Sequence, residues 1–311
     1  MNSYCVIFPG QGSQNPQMLS SYLGLQIFRE TIEEASDFLG YNLCDVVDNE
    51  KKINKTEFTQ PLILTTSIAI WRVWKEKCNF TPDFGAGHSL GEYSALVANG
   101  WMSFADCLEL VNLRAQYMEE ETSGINSGMA AIIGLNRQEI SDLCLKLSNK
   151  KELIEAVNFN SPQQTVIGGH LNLIEKSIPK FKDAGAKLIK IIPVSVAAHT
   201  SLLEKCNGKL YKILKNKEFY KPNYPVFHNV DGQLKDSESD IIDSLSAQIH
   251  NPVEWTKTIE NISDRGIKTF IEIGPGNVLS SLNKRINKSL NSISIDNYAN
   301  IGDALELISN E

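Results

Sequence analysis

The sequence predicts an α/β protein built on a mainly parallel sheet with helices on both faces, and three observations carry that expectation. Apolar runs of strand length alternate with longer stretches of helical period along most of the chain. The stretch 124–196 follows its own order, strand, helix, strand, strand, helix, strand. With 311 residues, 42% of them hydrophobic and 22% charged, the chain can bury a substantial core and divide into about two domains.

Val6-Ile7-Phe8 running into Pro9-Gly10-Gln11-Gly12 reads as a short buried strand that ends in a glycine-rich turn. From 60 to 78 the apolar run, with Leu62, Ile63, Ile68, Ile70, Trp71 and Trp74, is too long for one strand and predicts a core-facing helix. A brief strand over 84–87 and a helix over 90–97 follow. Ser103 suits the N-cap of a helix reaching 118, with Cys107, Leu108, Leu110, Val111 and Leu113 on its apolar side. Within the middle stretch we expect strands at 129–135, 155–160, 164–168 and 187–194, with helices at 137–147 and 173–184. That βαββαβ order is the ferredoxin-like unit, and we expect it to be inserted into the larger domain. Beyond it the pattern predicts helices at 201–214, 241–248 and 278–286, and strands at 225–229 and 269–273.

Thirty basic against 37 acidic side chains give a net charge of −7, which argues against general nucleic-acid binding, since that requires a basic field. No window approaches the roughly 18 consecutive apolar residues that span a bilayer, so no membrane segment is expected. The amino-terminal run lacks a basic leader and stops at Pro9-Gly10, so no signal peptide is expected and the cytoplasm is the expected compartment. Six cysteines, Cys5, Cys44, Cys78, Cys107, Cys144 and Cys206, include no C-x-x-C pair. We therefore expect reduced, mostly buried thiols, with neither a metal site nor a disulfide framework.

The sharpest local feature is Gly87-His88-Ser89-Leu90-Gly91, a G-x-S-x-G between a predicted strand and a predicted helix. Such a turn lifts a serine hydroxyl clear of the sheet, and the amide of the next residue, Leu90, is the natural oxyanion donor at the helix N-terminus. The plainer reading of Ser89 is a helix cap. A serine nucleophile needs a base within hydrogen-bond reach. Of His88, His170, His199, His228 and His250, His199 is the candidate because it lies at the return from the insertion, behind small residues that leave room for a substrate. Glu204, Asp231 and Asp243 are candidate acids to hold the imidazole, and spacing does not choose among them. Arg114 lies among apolar and small residues, and its planar fork suits a substrate carboxylate, the plainer reading being an exposed arginine near a helix C-terminus.

Seven segments occur together in one order: Phe8-Pro9-Gly10-Gln11-Gly12-Ser13-Gln14, Gly87-His88-Ser89-Leu90-Gly91-Glu92-Tyr93, Arg114, Asn158-Phe159-Asn160-Ser161-Pro162, Val194-Ser195-Val196 with His199, Asn251-Pro252-Val253-Glu254-Trp255, and Glu272-Ile273-Gly274-Pro275-Gly276. In this the chain resembles the malonyl-CoA:acyl carrier protein transacylases over nearly its whole length. The resemblance implies an α/β-hydrolase-like large domain, 1–123 with 197–311, and the ferredoxin-like subdomain 124–196. It implies Ser89 as nucleophile, His199 as base, the amides of Gln11 and Leu90 as oxyanion donors, Arg114 as the clamp on malonate, and the carbonyl of Gln248 as the group that orients the histidine. Malonyl-CoA and acyl carrier protein are then the partners, in a ping-pong transfer that uses no metal or other cofactor, and a monomer is expected. Ala197 and Ala198 stand where the family usually carries proline, serine or phenylalanine, so selectivity for malonyl over bulkier groups is expected to be looser.

Because carrier proteins are acidic, docking would need a local basic patch, offered by Lys205, Lys209 and Lys212 with Lys215, Lys217 and Lys221 beyond, or by Lys284, Arg285 and Lys288. The rivals are a serine thioesterase or other hydrolase using water, a polyketide acyltransferase acting in trans, and a noncatalytic module. Nucleotide binding is disfavoured, because Asn15 stands where a dinucleotide fingerprint would have its third glycine.

Overall fold

The computed structural model describes residues 3–309, so the outermost pairs of the amino-terminal run and of the larger domain lie outside the described residues. The elements are β1 (Tyr4–Phe8), α1 (Gln26–Leu39), α2 (Leu43–Val47), α3 (Glu50–Ile53), α4 (Thr56–Lys77), β2 (Phe84–Gly87), α5 (Leu90–Ala98), α6 (Phe104–Glu121), β3 (Ser127–Ile133), α7 (Arg137–Leu147), β4 (Ile154–Ser161) and β5 (Gln164–His170). Then come α8 (Leu171–Asp183), β6 (Leu188–Ile192), α9 (Glu204–Leu214), β7 (Val226–Phe227), α10 (Glu238–Ala247), α11 (Trp255–Ser263), β8 (Thr269–Glu272), α12 (Val278–Ile286), β9 (Asn291–Ser294) and α13 (Ile301–Ser309).

Two sheets result. Five parallel strands run in the order β7-β2-β1-β8-β9. Successive side chains of a strand point to opposite faces, and β1 shows what that does here. Tyr4, Val6 and Phe8 join the cluster built with α4 and α5, while Cys5 and Ile7 pack with Trp255, Ile259, Leu279 and Leu282 of α11 and α12. Both faces are therefore covered, as a parallel sheet requires. α4 is buried almost all round, which explains its continuous apolar run.

The second sheet is antiparallel, in the order β4-β5-β3-β6, with α7 and α8 in its two crossovers. Ala130 and Ile132 of β3 face those helices, whereas Met129 faces the other way with Val157 and Val166. That second face, joined by Ile192, Val194 and Ala198, closes over the C-terminal end of β2 and supplies one wall of a pocket.

The expected strands and helices all appear with small shifts of their ends, except that the strand expected over 225–229 shrinks to two residues. Sequence reading missed α1, α2, α3, α11, α13 and β9. α1 and α11 carry strongly one-sided apolar faces, as Phe28, Ile32 and Ala35 or Trp255, Ile259 and Ile262 show, so their period was there to be read. β9 alternates Ser292 and Ser294 inward at the sheet edge and gives no apolar signal. Six free cysteines are present, five of them buried and Cys44 partly exposed. Among the described residues no helix is long and apolar enough to cross a membrane.

Candidate active site

The turn from β2 to α5 is tight enough to exclude side chains at two points. A Cβ on Gly87 would fall 1.9 Å from the Gly91 carbonyl, and one on Gly91 would fall 1.9 Å from the carbonyl oxygen of Phe8. Between them Ser89 takes φ 53°, ψ −113°. Only Ser89 and His199 among the described non-glycine residues have positive φ, a conformation costing about 1–3 kcal/mol that the surrounding structure must impose. Asn229 imposes it at Ser89. Its Oδ1 accepts from the Ser89 amide at 2.6 Å and its Nδ2 donates to the Gly87 carbonyl at 2.6 Å, so one side chain spans both sides of the bend.

His199 arrives on the segment that leaves β6 and is clamped by the turn after α10. Its amide donates to the Ile249 carbonyl at 3.0 Å and its Nδ1 lies 2.8 Å from the Gln248 carbonyl oxygen. A carbonyl only accepts, so Nδ1 carries the proton and Nε2 is left as an acceptor. That nitrogen lies 2.6 Å from Ser89 Oγ. Burial, and after it the positive charge of Arg114, push the imidazole down to about 3, so it stands neutral and able to take a proton. The candidate acids are not there. Among the described residues no carboxylate meets His199; Asp231 pairs with Lys235, and Glu204 and Asp243 are exposed on α9 and α10. The acceptor is the Gln248 main chain, which sequence spacing does not distinguish from any other carbonyl.

Arg114 is 1% exposed, which removes the surface reading. Its NH1 donates to Gln60 Oε1 at 2.7 Å and its NH2 to Gln248 Oε1 at 3.0 Å, and its guanidinium lies 5.3 Å from the centre of the Tyr93 ring. Among the described residues no carboxylate pairs with it. A buried cation held by neutral groups, two carboxamides, the Met118 sulfur and the Tyr93 ring, is poised for an anionic ligand. Gln11, Ser89, Leu90, Arg114, Ala198 and His199 line one pocket. Leu90 opens α5, so its amide has no partner within the helix. Gln11 donates from its side chain to Thr56 Oγ1 at 3.2 Å, which fixes the β1 turn against α4. Of the two alanines before His199, Ala198 reaches the pocket and Ala197 is fully buried.

Three groups around this pocket escaped sequence reading: Gln60, Asn229 and Glu92. Glu92 is fully buried, and its carboxylate accepts from His228 Nδ1 at 2.7 Å, the Asn229 amide at 3.1 Å and Gln248 Nε2 at 2.9 Å. Its place three residues after the serine, on the first turn of α5, was the one available hint. His88 Nε2 donates to Asn160 Oδ1, 2.8 Å away, and burial holds the imidazole low. In the first basic patch Lys205 and Lys209 pair with Glu121 and Glu120, and Lys217 with Asp106 and Glu109, so much of its charge is compensated.

Comparison with known proteins matches residues 5–303 to the acyl transferase domain family. The malonyl CoA-acyl carrier protein transacylase of Salmonella typhimurium is 41% identical over 308 residues, spanning 98% of this chain and 99% of that protein. That of Escherichia coli K12 is 40% identical over 310 residues, spanning 99% and 100%. Among solved structures, the malonyl CoA-acyl carrier protein transacylase of Coxiella burnetii superposes with a TM-score of 0.95 at 37% identity over 99% of this chain and 98% of that one. A malonyl-transacylase in complex with its type II PKS acyl-carrier protein gives 0.94 at 40% identity over 98% and 100%.

Proposed function

The chain belongs to the acyl transferase family, and from that premise we propose that it moves malonyl groups from malonyl-CoA to the phosphopantetheine thiol of an acyl carrier protein, supplying extender units for fatty-acid synthesis. The observation that carries this reading is the 2.6 Å contact between Ser89 Oγ and His199 Nε2 in a pocket that also holds the acid-free guanidinium of Arg114.

In the proposed acylation, the Ser89 hydroxyl gives its proton to His199 Nε2 as Oγ bonds to the thioester carbonyl carbon. The negative charge that develops on the carbonyl oxygen is met by the amides of Gln11 and Leu90. Collapse breaks the carbon–sulfur bond, and His199 returns the proton to the departing CoA sulfur. In the second half-reaction His199 takes the proton of the carrier's thiol, the sulfur attacks the acyl-serine, and the proton goes back to Ser89 Oγ. The Gln248 carbonyl holds Nδ1–H throughout, in the role more often given to a carboxylate. Arg114 receives the free carboxylate of the malonyl group. The proposed transfer uses no metal or redox cofactor.

Arg114 also favours transfer of a charged acyl group over hydrolysis of neutral ones, which would leave a buried cation without a use. A second cleft, lined by Gly12, Asn160 and Val278, shares Gln11, His88, Asn158 and Ile192 with the catalytic pocket and offers a path for the pantetheine arm. Ala198 leaves space at the acyl end, in keeping with looser selectivity. We read the parallel sheet, in 1–123 and 197–311, as an α/β-hydrolase-like core, and 124–196 as a ferredoxin-like subdomain, whose strand order and crossovers support that reading. The α12 cluster, Lys284, Arg285 and Lys288, is the better candidate for carrier docking, since it continues the helix that lines the second cleft. Monomeric action in the cytoplasm completes the proposal.

Purified protein given malonyl-CoA and the phosphopantetheinylated carrier should load malonyl onto the carrier, read by mass. Release of free malonate without loading would establish the hydrolase instead.

A further inference from the structure

Gln248 makes four hydrogen bonds that meet at the reacting groups. Its main-chain carbonyl holds His199 Nδ1, its Nε2 donates to the Ser89 carbonyl at 2.8 Å and to Glu92 Oε2 at 2.9 Å, and its Oε1 accepts from Arg114. A guanidinium only donates and a carboxylate only accepts. With Arg114 at one end of the carboxamide and Glu92 and the Ser89 carbonyl at the other, a single orientation of that amide satisfies all three. Turned over, it would set NH2 against guanidinium and oxygen against carboxylate. Nothing else about Glu92 is free to vary: it is fully buried, and its remaining donors are His228 Nδ1 and the amide of Asn229, the residue that spans the serine bend.

We propose that Glu92 is a positioning residue for malonyl selectivity: its buried carboxylate supplies the charged anchor that, beside the Ser89 carbonyl, steadies the Gln248 carboxamide with Oε1 toward Arg114 and so holds the guanidinium where a substrate carboxylate can meet it. The inference rests on the transacylase reading above and adds to it a residue that touches no substrate. Glutamine at position 92 keeps the shape but removes the negative charge, so the bond from Gln248 Nε2 to position 92 weakens from a charged to a neutral one, the carboxamide is held mainly by the Ser89 carbonyl, and Arg114 is less well held. Substrates without a free carboxylate do not use Arg114 and are affected less.

The test is a double-mutant cycle read as the ratio of kcat/KM for malonyl-CoA to that for acetyl-CoA, using Glu92→Gln, Arg114→Gln and the pair. Glu92→Gln should lower the ratio by about 10-fold in the otherwise unaltered protein and leave it unchanged in the Arg114→Gln background. Equal loss with both substrates, or the same loss in both backgrounds, would mean a merely structural role and overturn the proposal. Should Glu92→Gln not fold, Gln248→Met removes the carboxamide while keeping the main-chain carbonyl, and must lower the same ratio; an unmoved ratio overturns the proposal equally. Malonyl-enzyme formed by the unaltered protein separates the two readings. If it forms and the ratio does not move, only the role of Glu92 falls; if it does not form, the transacylase reading falls and takes this role with it.

Discussion

Replacing Arg114 with alanine removes a guanidinium that is 1% exposed and donates at 2.7 Å to Gln60 and 3.0 Å to Gln248. A charged hydrogen-bonded pair with the malonyl carboxylate is worth about 1.5–3 kcal/mol, which at about 1.4 kcal/mol per decade predicts a roughly 10- to 100-fold fall in kcat/KM for malonyl-CoA. Acetyl-CoA, with no carboxylate to place, should not fall in parallel. A second effect has the opposite character. The Arg114 charge is, after burial, the main influence holding the His199 imidazole low, so its removal raises that imidazole toward its ordinary range. A higher value means that the neutral base is lost at a higher pH, and the acidic limb of the rate profile should move upward. Truncation also leaves two buried carboxamide oxygens without their donor, a stability cost of about 1–3 kcal/mol each, so rates belong well below the melting temperature of the variant. The assay is loading of the carrier protein from malonyl-CoA and from acetyl-CoA, followed by mass at several pH values. An unchanged malonyl-to-acetyl ratio would refute the assignment of Arg114 as the carboxylate clamp.

Ser89→Ala should abolish covalent labelling by radioactive malonyl-CoA and cut turnover by something on the order of 10⁴-fold or more; persistent label would place the acyl group elsewhere. In the unaltered protein His199 is pushed down to about 3, so the base stays neutral from pH 5 upward and single-turnover acylation should show no fall on the acidic side until well below that; a limb near pH 6.5 would contradict the buried geometry. Glu272, buried under the N-terminus of α12 where it accepts from the amides of Leu279 and Ser280, is pushed up to about 7 by burial. A carboxyl raised on folding favours the folded state most when protonated, so its contribution is lost as pH rises from about 4.5 through 7, by about 3 kcal/mol in all. Glu272→Gln should therefore flatten the dependence of melting temperature on pH across that window, and an unchanged slope would show that the carboxyl is not strained there.

How much could be read in advance differs from group to group. Ser89 and Leu90 were legible because a strained bend leaves a local signature: small residues flanking a polar one between a strand and a helix. Without the family resemblance, His199 was legible by its place at the end of the inserted unit behind small residues, and Arg114 as a polar residue in an apolar run. Asn229, Gln60 and Glu92 left no comparable mark. Each is an ordinary polar residue whose importance lies in what stands opposite it.

The sequence by itself determined the alternation of strands and helices, the βαββαβ interruption and the serine bend, because those follow from side-chain period and backbone sterics among near neighbours. Residue pattern left Glu204, Asp231 and Asp243 open and only the family resemblance pointed to the Gln248 carbonyl; the tertiary structure puts that carbonyl on the His199 imidazole, buries Arg114 without an acid, and joins Ser89, His199 and Arg114 through the main chain and side chain of one glutamine. The physical reason is range. Ser89 and His199 are 110 positions apart and Ser89 and Gln248 159 apart, so a hydrogen bond of under 3 Å between them depends on how the two sheets close upon each other, which no local pattern of residues encodes.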